Sequence, residues 1–93
     1  MPRPPIRRRI RFDPKIRYFK PQGVPARVLR EVYLQHDELE ALRLHDLENL
    51  EQTDAAEKMG ISQSTFSRIL DSAYKKIADA ILNGKALRIE VEE

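Results

Sequence analysis

The chain has 93 residues, no cysteine and a formal net charge of +2 at pH 7. This length predicts one domain, or one domain with an arm, and the lack of cysteine excludes disulfides, thiolate nucleophiles and cysteine-ligated zinc. The sequence has no signal peptide and no apolar run near transmembrane length, which predicts a soluble, cytoplasmic protein with no membrane partner.

Charge is distributed unevenly along the chain. Residues 1–35 carry a net charge of +8, whereas residues 36–60 carry a net charge of −6. This polarity predicts a basic surface that binds a polyanion, and an acidic segment that is kept away from it.

The first dozen residues, MPRPPIRRRIRF, contain three prolines and five arginines. Proline opposes helix and like charges repel, so this segment is predicted to be an extended arm, and a disordered basic tail is an equally good interpretation. The segment YFKPQGVP, 18–25, predicts an ordered turn anchored by Tyr18 and Phe19. REVYLQ, 30–35, then predicts a short strand.

Two helices are predicted after this strand. The segment HDELEALRLHDLENL, 36–50, carries acids in its first turn, where the helix dipole favours them, and Asp37 or His36 can cap it. The helical periodicity slips at Asn49, a residue type that tolerates the left-handed conformation of a turn. A short second helix is predicted over 52–59, and the glycine that follows ends it.

A third helix, the longest, follows this glycine. Ser62 can cap it by accepting a hydrogen bond from the amide of Ser64 or Thr65. The dipeptide Asn83-Gly84 ends it, and the alternating segment ALRIEVE, 86–92, predicts a half-buried strand. The apolar stripe of the third helix consists of Phe66, Ile69, Leu70, Ala73, Ile77, Ala80 and Ile81.

The second and third helices, with the glycine turn between them, predict a helix-turn-helix. Ala56 is small enough for two helices to cross closely, and Gly60 accepts the positive φ of the turn. Small polar side chains at the start of the third helix suit the major groove, where Gln63 can pair with adenine and Arg68 with guanine or phosphate. The candidate DNA contacts are Ser62, Gln63, Ser64, Thr65, Ser67, Arg68 and Lys75, together with Arg7, Arg8, Arg9 and Arg11 of the arm.

Four blocks of the sequence resemble a known prokaryotic family of predicted DNA-binding proteins, uncharacterised protein family 0251 or domain of unknown function 134. The blocks are YFKPQGVP at 18–25, DELEALRLHDLENL at 37–50, AAEKMGISQSTFSRIL at 55–70 and KKIADAILNGKALRIE at 75–90. The family's helix-turn-helix is similar to region four of sigma factors, which implies that the segment 62–70 reads DNA.

The sequence departs from this family at three places. Family members often carry a cysteine in the arm, where this chain has IRRRIRF, and a metal or redox role is therefore not carried over. Asn49 stands where glycine is common, and Glu51 stands where a small hydroxyl cap is common, so the start of the second helix is expected to be less well capped.

No enzymatic function, metal or cofactor is predicted. His36 and His45 are nine residues apart and do not share a helical face, and the chain has no phosphate-binding loop and no nucleophile motif.

The main alternative to DNA binding is a protein-interaction module whose acidic helical face, 37–57, docks on a component of the transcription apparatus. Whichever function is correct, the acidic side chains of 37–57 are expected to form a solvent-exposed helix face. Stacking of Tyr18, Phe19 and Tyr33 on single-stranded bases is a further interpretation, but the sequence favours anchoring of the core or turn.

The sequence therefore predicts a mainly α-helical fold: a helix-turn-helix three-helix core with a basic extended N-terminal arm and short flanking strands. The arm and turn occupy 1–29 and the helix-turn-helix domain occupies 30–93. The expected function is sequence-specific binding of double-stranded DNA in transcription regulation. A homodimer on a palindromic site is also expected, joined through the two strands or through Ile77, Ala80 and Ile81.

Overall fold

The computed structural model describes residues 17–89, and its core is helical, which confirms the predicted fold class. The strands are β1 (Arg17–Phe19), β2 (Glu31–Leu34) and β3 (Ala86–Ile89), and the helices are α1 (His36–Leu42), α2 (Gln52–Met59) and α3 (Gln63–Asn83). A 3-10 turn, Ala26–Val28, precedes β2, and α1 continues into a π-helical turn, Arg43–Leu47.

The three strands form one small sheet in the order β1-β3-β2. The last strand is therefore central: β3 pairs antiparallel with β1 and parallel with β2. The three helices connect β2 to β3, as a parallel pair requires a long crossover. The two strands predicted from the sequence are thus paired within the chain. The expectation that they lack partners within the chain, which suggested pairing across a two-fold axis, is therefore wrong.

Helix α3 joins two hydrophobic clusters because its apolar stripe is long enough to serve both. Its N-terminal half packs with α1 and α2, and its C-terminal half packs on the sheet. The helical cluster consists of Ala41, Leu44, Ala55, Ala56, Phe66 and Leu70. The sheet cluster consists of Leu34, Ala73 and Ile89, with Leu39, Leu42 and Leu87 packed against it.

Local sequence signals end the elements where they were predicted to do so. The Ser62 hydroxyl accepts a hydrogen bond from the Thr65 amide at 3.1 Å, which caps α3. Gly84 ends the same helix in the left-handed conformation, with φ 66°. Asn49 also has a positive φ, 60°, in the turn before α2. Short-range backbone preferences are therefore sufficient to place these boundaries.

The N-terminus of α1 differs from the prediction. The N-cap is Gln35, and not Asp37 or His36. The backbone amide of Gln35 donates to the Glu38 carboxylate at 2.9 Å, so the cap is made by an acid three residues inside the helix. The helix therefore begins at His36, two residues earlier than an Asp37 cap would place it.

Side-chain burial corrects several further expectations. Tyr18 and Phe19 lie in a strand and not in a turn, and Phe19, at 56% exposure, anchors nothing in the core. Ile81 was placed on the apolar stripe of α3 but is 72% exposed, and Ala80 is the last buried residue of the helix. The segment from 90 to 92, predicted to continue β3, lies outside the described residues.

Candidate nucleic-acid interface

Helices α2 and α3 cross closely around small residues. Ala55 and Ala56 are buried at 0% and 2% exposure and share a cluster with Phe66 of α3. Between the helices, Gly60 adopts φ 74°, and the Ile61 amide donates to the Ala56 carbonyl at 3.0 Å. The turn therefore has the positive φ that the sequence predicted, with an alanine at the crossing.

The face of α3 that points away from this crossing is polar and exposed. Gln63, Ser64, Ser67 and Arg68 are exposed in the first two turns, and Thr65 is half-buried. Lys75 is exposed two turns farther along the helix. The structure thus brings all the candidate contacts of the third helix onto or beside one side of α3, with Ser62 at its N-terminus.

All three candidate serines have intramolecular partners, and the Ser64 hydroxyl lies 3.3 Å from the Ser62 hydroxyl. The Ser62 hydroxyl caps the helix and also donates to Thr65 Oγ1 at 2.9 Å, so its role in the free protein is to hold the helix start. The Ser67 hydroxyl donates to Gln52 Oε1 at 2.6 Å. This bond joins the outer face of α3 to the first turn of α2, and Gln52 was not among the sequence candidates. The polar side chain of this glutamine, in the first turn of α2, was the feature of the sequence that could have identified it.

The side chains of Gln63, Arg68 and Lys75 make no hydrogen bond or ion pair with any residue between 17 and 89. Their donors are therefore free to bind an external group. A carboxamide at the first position of α3 and a guanidinium five residues later can both reach groups that lie against the start of the helix.

The basic arm is the part of the candidate interface that the structure does not describe. Arg7, Arg8, Arg9 and Arg11 lie outside residues 17–89. The described residues contain eleven Lys and Arg and eleven Asp and Glu, so their formal charge is zero. The excess positive charge of the protein is therefore carried by the first sixteen residues.

The acids of α1 are not all on a solvated face, which corrects the sequence interpretation. Glu38 and Glu40 are buried at 6% and 1% exposure. Arg43 donates to Glu40 through Nε and Nη2, at 3.0 and 2.8 Å, and also pairs with Glu48. Paired in this way, Glu40 can occupy the helical core without leaving a buried charge uncompensated.

Glu38 connects three elements. Besides the Gln35 amide, its carboxylate accepts hydrogen bonds from Ser72 Oγ at 2.6 Å and Lys76 Nζ at 2.8 Å. Lys76 Nζ also donates to the Tyr33 carbonyl at 2.8 Å. Burial by itself raises the pKa of Glu38, but the Gln35 amide, Lys76 and Ser72 together outweigh it and lower the pKa below the usual value. This network is structural, and it joins β2, α1 and α3.

The outer face of the sheet carries a row of two tyrosines and an arginine. Tyr18 and Tyr33 both stand opposite Arg88 in the strand register. The Arg88 guanidinium lies 4.7 Å from the Tyr18 ring centre and 6.0 Å from that of Tyr33. It also donates to both carboxylate oxygens of Glu31. Tyr18 and Tyr33 therefore contact Arg88 on the sheet, and not the core or a turn as the sequence predicted.

The two histidines occupy separate structural positions. His45 Nδ1 donates to the Leu50 carbonyl at 2.8 Å, and its ring lies edge-on to Phe66. His36 is at the first position of α1. Within residues 17–89, no group of three or more His, Cys, Asp or Glu side chains is arranged to hold a metal ion. None of the helices in this range has the length and apolar character needed to cross a membrane.

Comparison with known proteins places the chain in a family. The family described as "Protein of unknown function DUF134" matches residues 1–93. A UPF0251 protein of Moorella thermoacetica is 60% identical over 90 residues, which are 97% of this chain and 60% of that relative. A UPF0251 protein of Caldanaerobacter subterraneus subsp. tengcongensis is 56% identical over 90 residues, or 76% of its length.

The chain thus spans about three-fifths to three-quarters of the length of these relatives. No solved structure matches it. Because the family match covers the whole chain, the resemblance seen in the four sequence blocks is confirmed, and the chain belongs to the DUF134 family, together with the UPF0251 proteins of these bacteria.

Proposed function

We propose that this protein binds double-stranded DNA in a sequence-specific manner and regulates transcription, with the N-terminal part of α3 in the major groove. The observation that carries the proposal is the combination of a close α2–α3 crossing with an exposed polar face on α3. A helix about 10–12 Å across matches a major groove about 12 Å wide.

The three parts of the interface have different roles in this proposal. Gln63, Ser64 and Arg68 read base edges, since their side chains project from the first two turns of α3. Gln52 and Ser67 hold α2 and α3 in register through their hydrogen bond. The arm follows the phosphates or enters the adjacent minor groove, as basic arms do.

The charge distribution supports this division. The described residues are formally neutral, so α3 alone releases few counterions from DNA. The arm, with its arginine run, then supplies the sequence-independent affinity, and α3 supplies the choice of sequence.

Selection from a random duplex pool tests the proposal, and Gln63→Ala tests the recognition helix. This substitution should cost about 1–3 kcal/mol on the preferred site and little on random DNA. Gln22→Ala, at an exposed glutamine remote from α3 in sequence, serves as the control and should have no effect. Equal losses on both kinds of DNA would remove Gln63 from a role in specificity.

A protein-interaction module is the second candidate function. One observation favours it: a largely apolar groove, which is lined by Leu39, Leu42, Arg43, Asp46 and Leu47. Leu47 is 74% exposed. Salt dependence separates the candidates, because duplex binding weakens steeply with salt, at a slope near −0.9 per phosphate contact, and an apolar interface does not behave in this way.

A homodimer on a palindromic site remains part of the proposal, with half-sites about 34–36 Å apart. The strands no longer support it, because they pair within the chain. The end of α3 does, since Ile81 and Leu82 are 72% and 80% exposed. Light scattering at micromolar concentration measures the state, and a stable 10.9 kDa monomer on an asymmetric site would contradict the dimer.

A further inference from the structure

An acid stands in the middle of the polar face of α3. Asp71 is exposed, and it lies four residues after Ser67, three after Arg68 and four before Lys75. Side chains at these spacings are neighbours on a helix surface. Asp71 is therefore surrounded by the candidate DNA contacts and is about 12 Å along the helix from Gln63.

Asp71 does not hold the fold together, and among the described acids that lack a side-chain partner it is the one that lies on α3. Glu31, Glu38, Glu40 and Asp79 each form an ion pair with a basic side chain. Within residues 17–89, the Asp71 carboxylate makes no hydrogen bond or ion pair, although Arg68 and Lys75 flank it. Its carboxylate is thus available on the surface that the proposed function directs toward DNA.

A carboxylate in the major groove can form hydrogen bonds with few base edges. An ionised carboxylate can only accept hydrogen bonds. The groove presents acceptors from guanine, adenine and thymine, and it presents donors only from the amino groups of adenine and cytosine. The adenine amino group lies between two acceptors, N7 and the O4 of the paired thymine, whereas the cytosine amino group has an acceptor on one side only. Cytosine is therefore the base that a carboxylate in this position favours.

We propose that Asp71 is a specificity-determining residue that accepts a hydrogen bond from a cytosine amino group and disfavours the other bases at that position. The inference rests on the proposed DNA-binding function. Arg68 and Lys75 allow the Asp71 carboxylate to approach DNA, because a cation on each side offsets the repulsion between this carboxylate and the phosphates. The acid lowers affinity for most sequences and thereby increases discrimination.

Selection from a random duplex pool, repeated for the wild type, Asp71→Ala and Asp71→Asn, tests this role. The wild type should select a cytosine at one position of the site. Asp71→Ala should reduce the preference for cytosine there roughly tenfold and tighten binding to random duplex. Asp71→Asn should shift the preferred base to adenine, since Asn pairs with the N6 and N7 of adenine.

Asp37→Ala is the matched control, because it removes the same charge from an exposed position in the first turn of α1. It should leave the selected sequence unchanged. A wild type that selects a defined site, with identical sites from both Asp71 variants, would overturn this inference and leave the proposed function standing. If Asp71→Ala and Asp37→Ala tighten binding equally without any change of base, the role of Asp71 in specificity is also refuted. A wild type that binds no duplex would refute both.

Discussion

The structure changes the interpretation of two acids of α1, Glu38 and Glu40. In the sequence, Glu38 and Glu40 belong to a run of acids that a solvated helix face explains well. In the structure both are buried and bonded to basic partners. Glu38 accepts hydrogen bonds from three donors, the Gln35 amide and two side chains of α3, so it takes the place that an apolar residue has in an ordinary core. At this position, charge and hydrogen bonding replace hydrophobic contact as the link between α1 and α3.

Replacing Glu38 with alanine should therefore destabilise the fold. The change leaves the Gln35 amide and the Ser72 hydroxyl without their acceptor and Lys76 without its counterion, and the expected loss is about 2–4 kcal/mol. Urea unfolding followed by circular dichroism measures it. The neighbouring exposed acid provides the control, and Asp37→Ala should stay within about 0.5 kcal/mol of the wild type. Similar values for the two variants would mean that the buried network contributes nothing.

Acid should weaken the sheet through Glu31. Its hydrogen bonds from Arg88 and Tyr33 lower the pKa from 4.5 to about 2 in the folded chain. A carboxyl with a depressed pKa stabilises the fold fully above pH 4.5, and this contribution is lost as the pH falls from 4.5 toward 2. Melting temperatures between pH 6 and pH 2 should therefore decline less steeply for Glu31→Gln than for the wild type. Parallel curves would argue against a folded-state role for the Glu31–Arg88 pair.

At the scale of elements, the pair α2–α3 is the unit on which the proposed function depends. Its turn is set by Gly60 and its crossing by small buried residues, both of which are local features of the sequence. The relation of α3 to the rest of the molecule is not local. The first half of the helix packs with α1 and α2 and the second half packs on the sheet, which leaves only the polar face of the first half in solvent. The position of this polar face thus depends on contacts along the whole helix.

A larger side chain at position 56 should separate the two helices. Ala56 is 2% exposed within the helical cluster, so Ala56→Leu adds volume where none is available. We expect a loss of about 1–3 kcal/mol in stability and a larger loss in DNA affinity, measured by urea unfolding and fluorescence anisotropy. Thr53→Leu, on the exposed side of α2, is the control and should preserve both. Normal affinity in a folded Ala56→Leu variant would show that the proposed helix-turn-helix register is incorrect.

At the scale of the whole molecule, the excess positive charge lies in the N-terminal arm and not in the described residues 17–89. The described residues have equal numbers of acidic and basic side chains, and the basic excess lies in the arm. A folded part without net charge can place α3 in a groove but contributes little long-range attraction to a polyanion. Affinity and specificity should therefore be separable by mutation.

Deletion of residues 1–11 should weaken binding to every duplex and flatten its salt dependence. The segment carries five arginines, and the slope of log affinity against log salt should fall in magnitude by about 0.9 for each one that contacts a phosphate. Anisotropy titrations between 50 and 300 mM salt, roughly the range in which this effect is large, measure the slope. Replacing the same arginines with lysine should preserve it. An unchanged slope after deletion would mean that the arm does not contact DNA.

The sequence alone determined the second and third helices, their ends and the turn between them, although it misplaced the start of the first helix. Ser62, Gly60, Gly84 and Asn49 act on the backbone within a few residues, so their effect does not depend on the rest of the fold. The family followed from short blocks for the same reason, since each block is read without knowledge of its neighbours in space.

The tertiary structure decided which polar and apolar side chains have partners. It brought β1 into the sheet, placed Arg88 between two tyrosines, buried Glu38 and Glu40, and left Ile81 in solvent. These outcomes depend on partners far away in the chain: Ser72 is 34 residues from Glu38, and Arg88 is 57 residues from Glu31. Helical periodicity identifies the face on which a side chain lies, but only the packing of distant segments determines whether that face meets water, a counterion or another element.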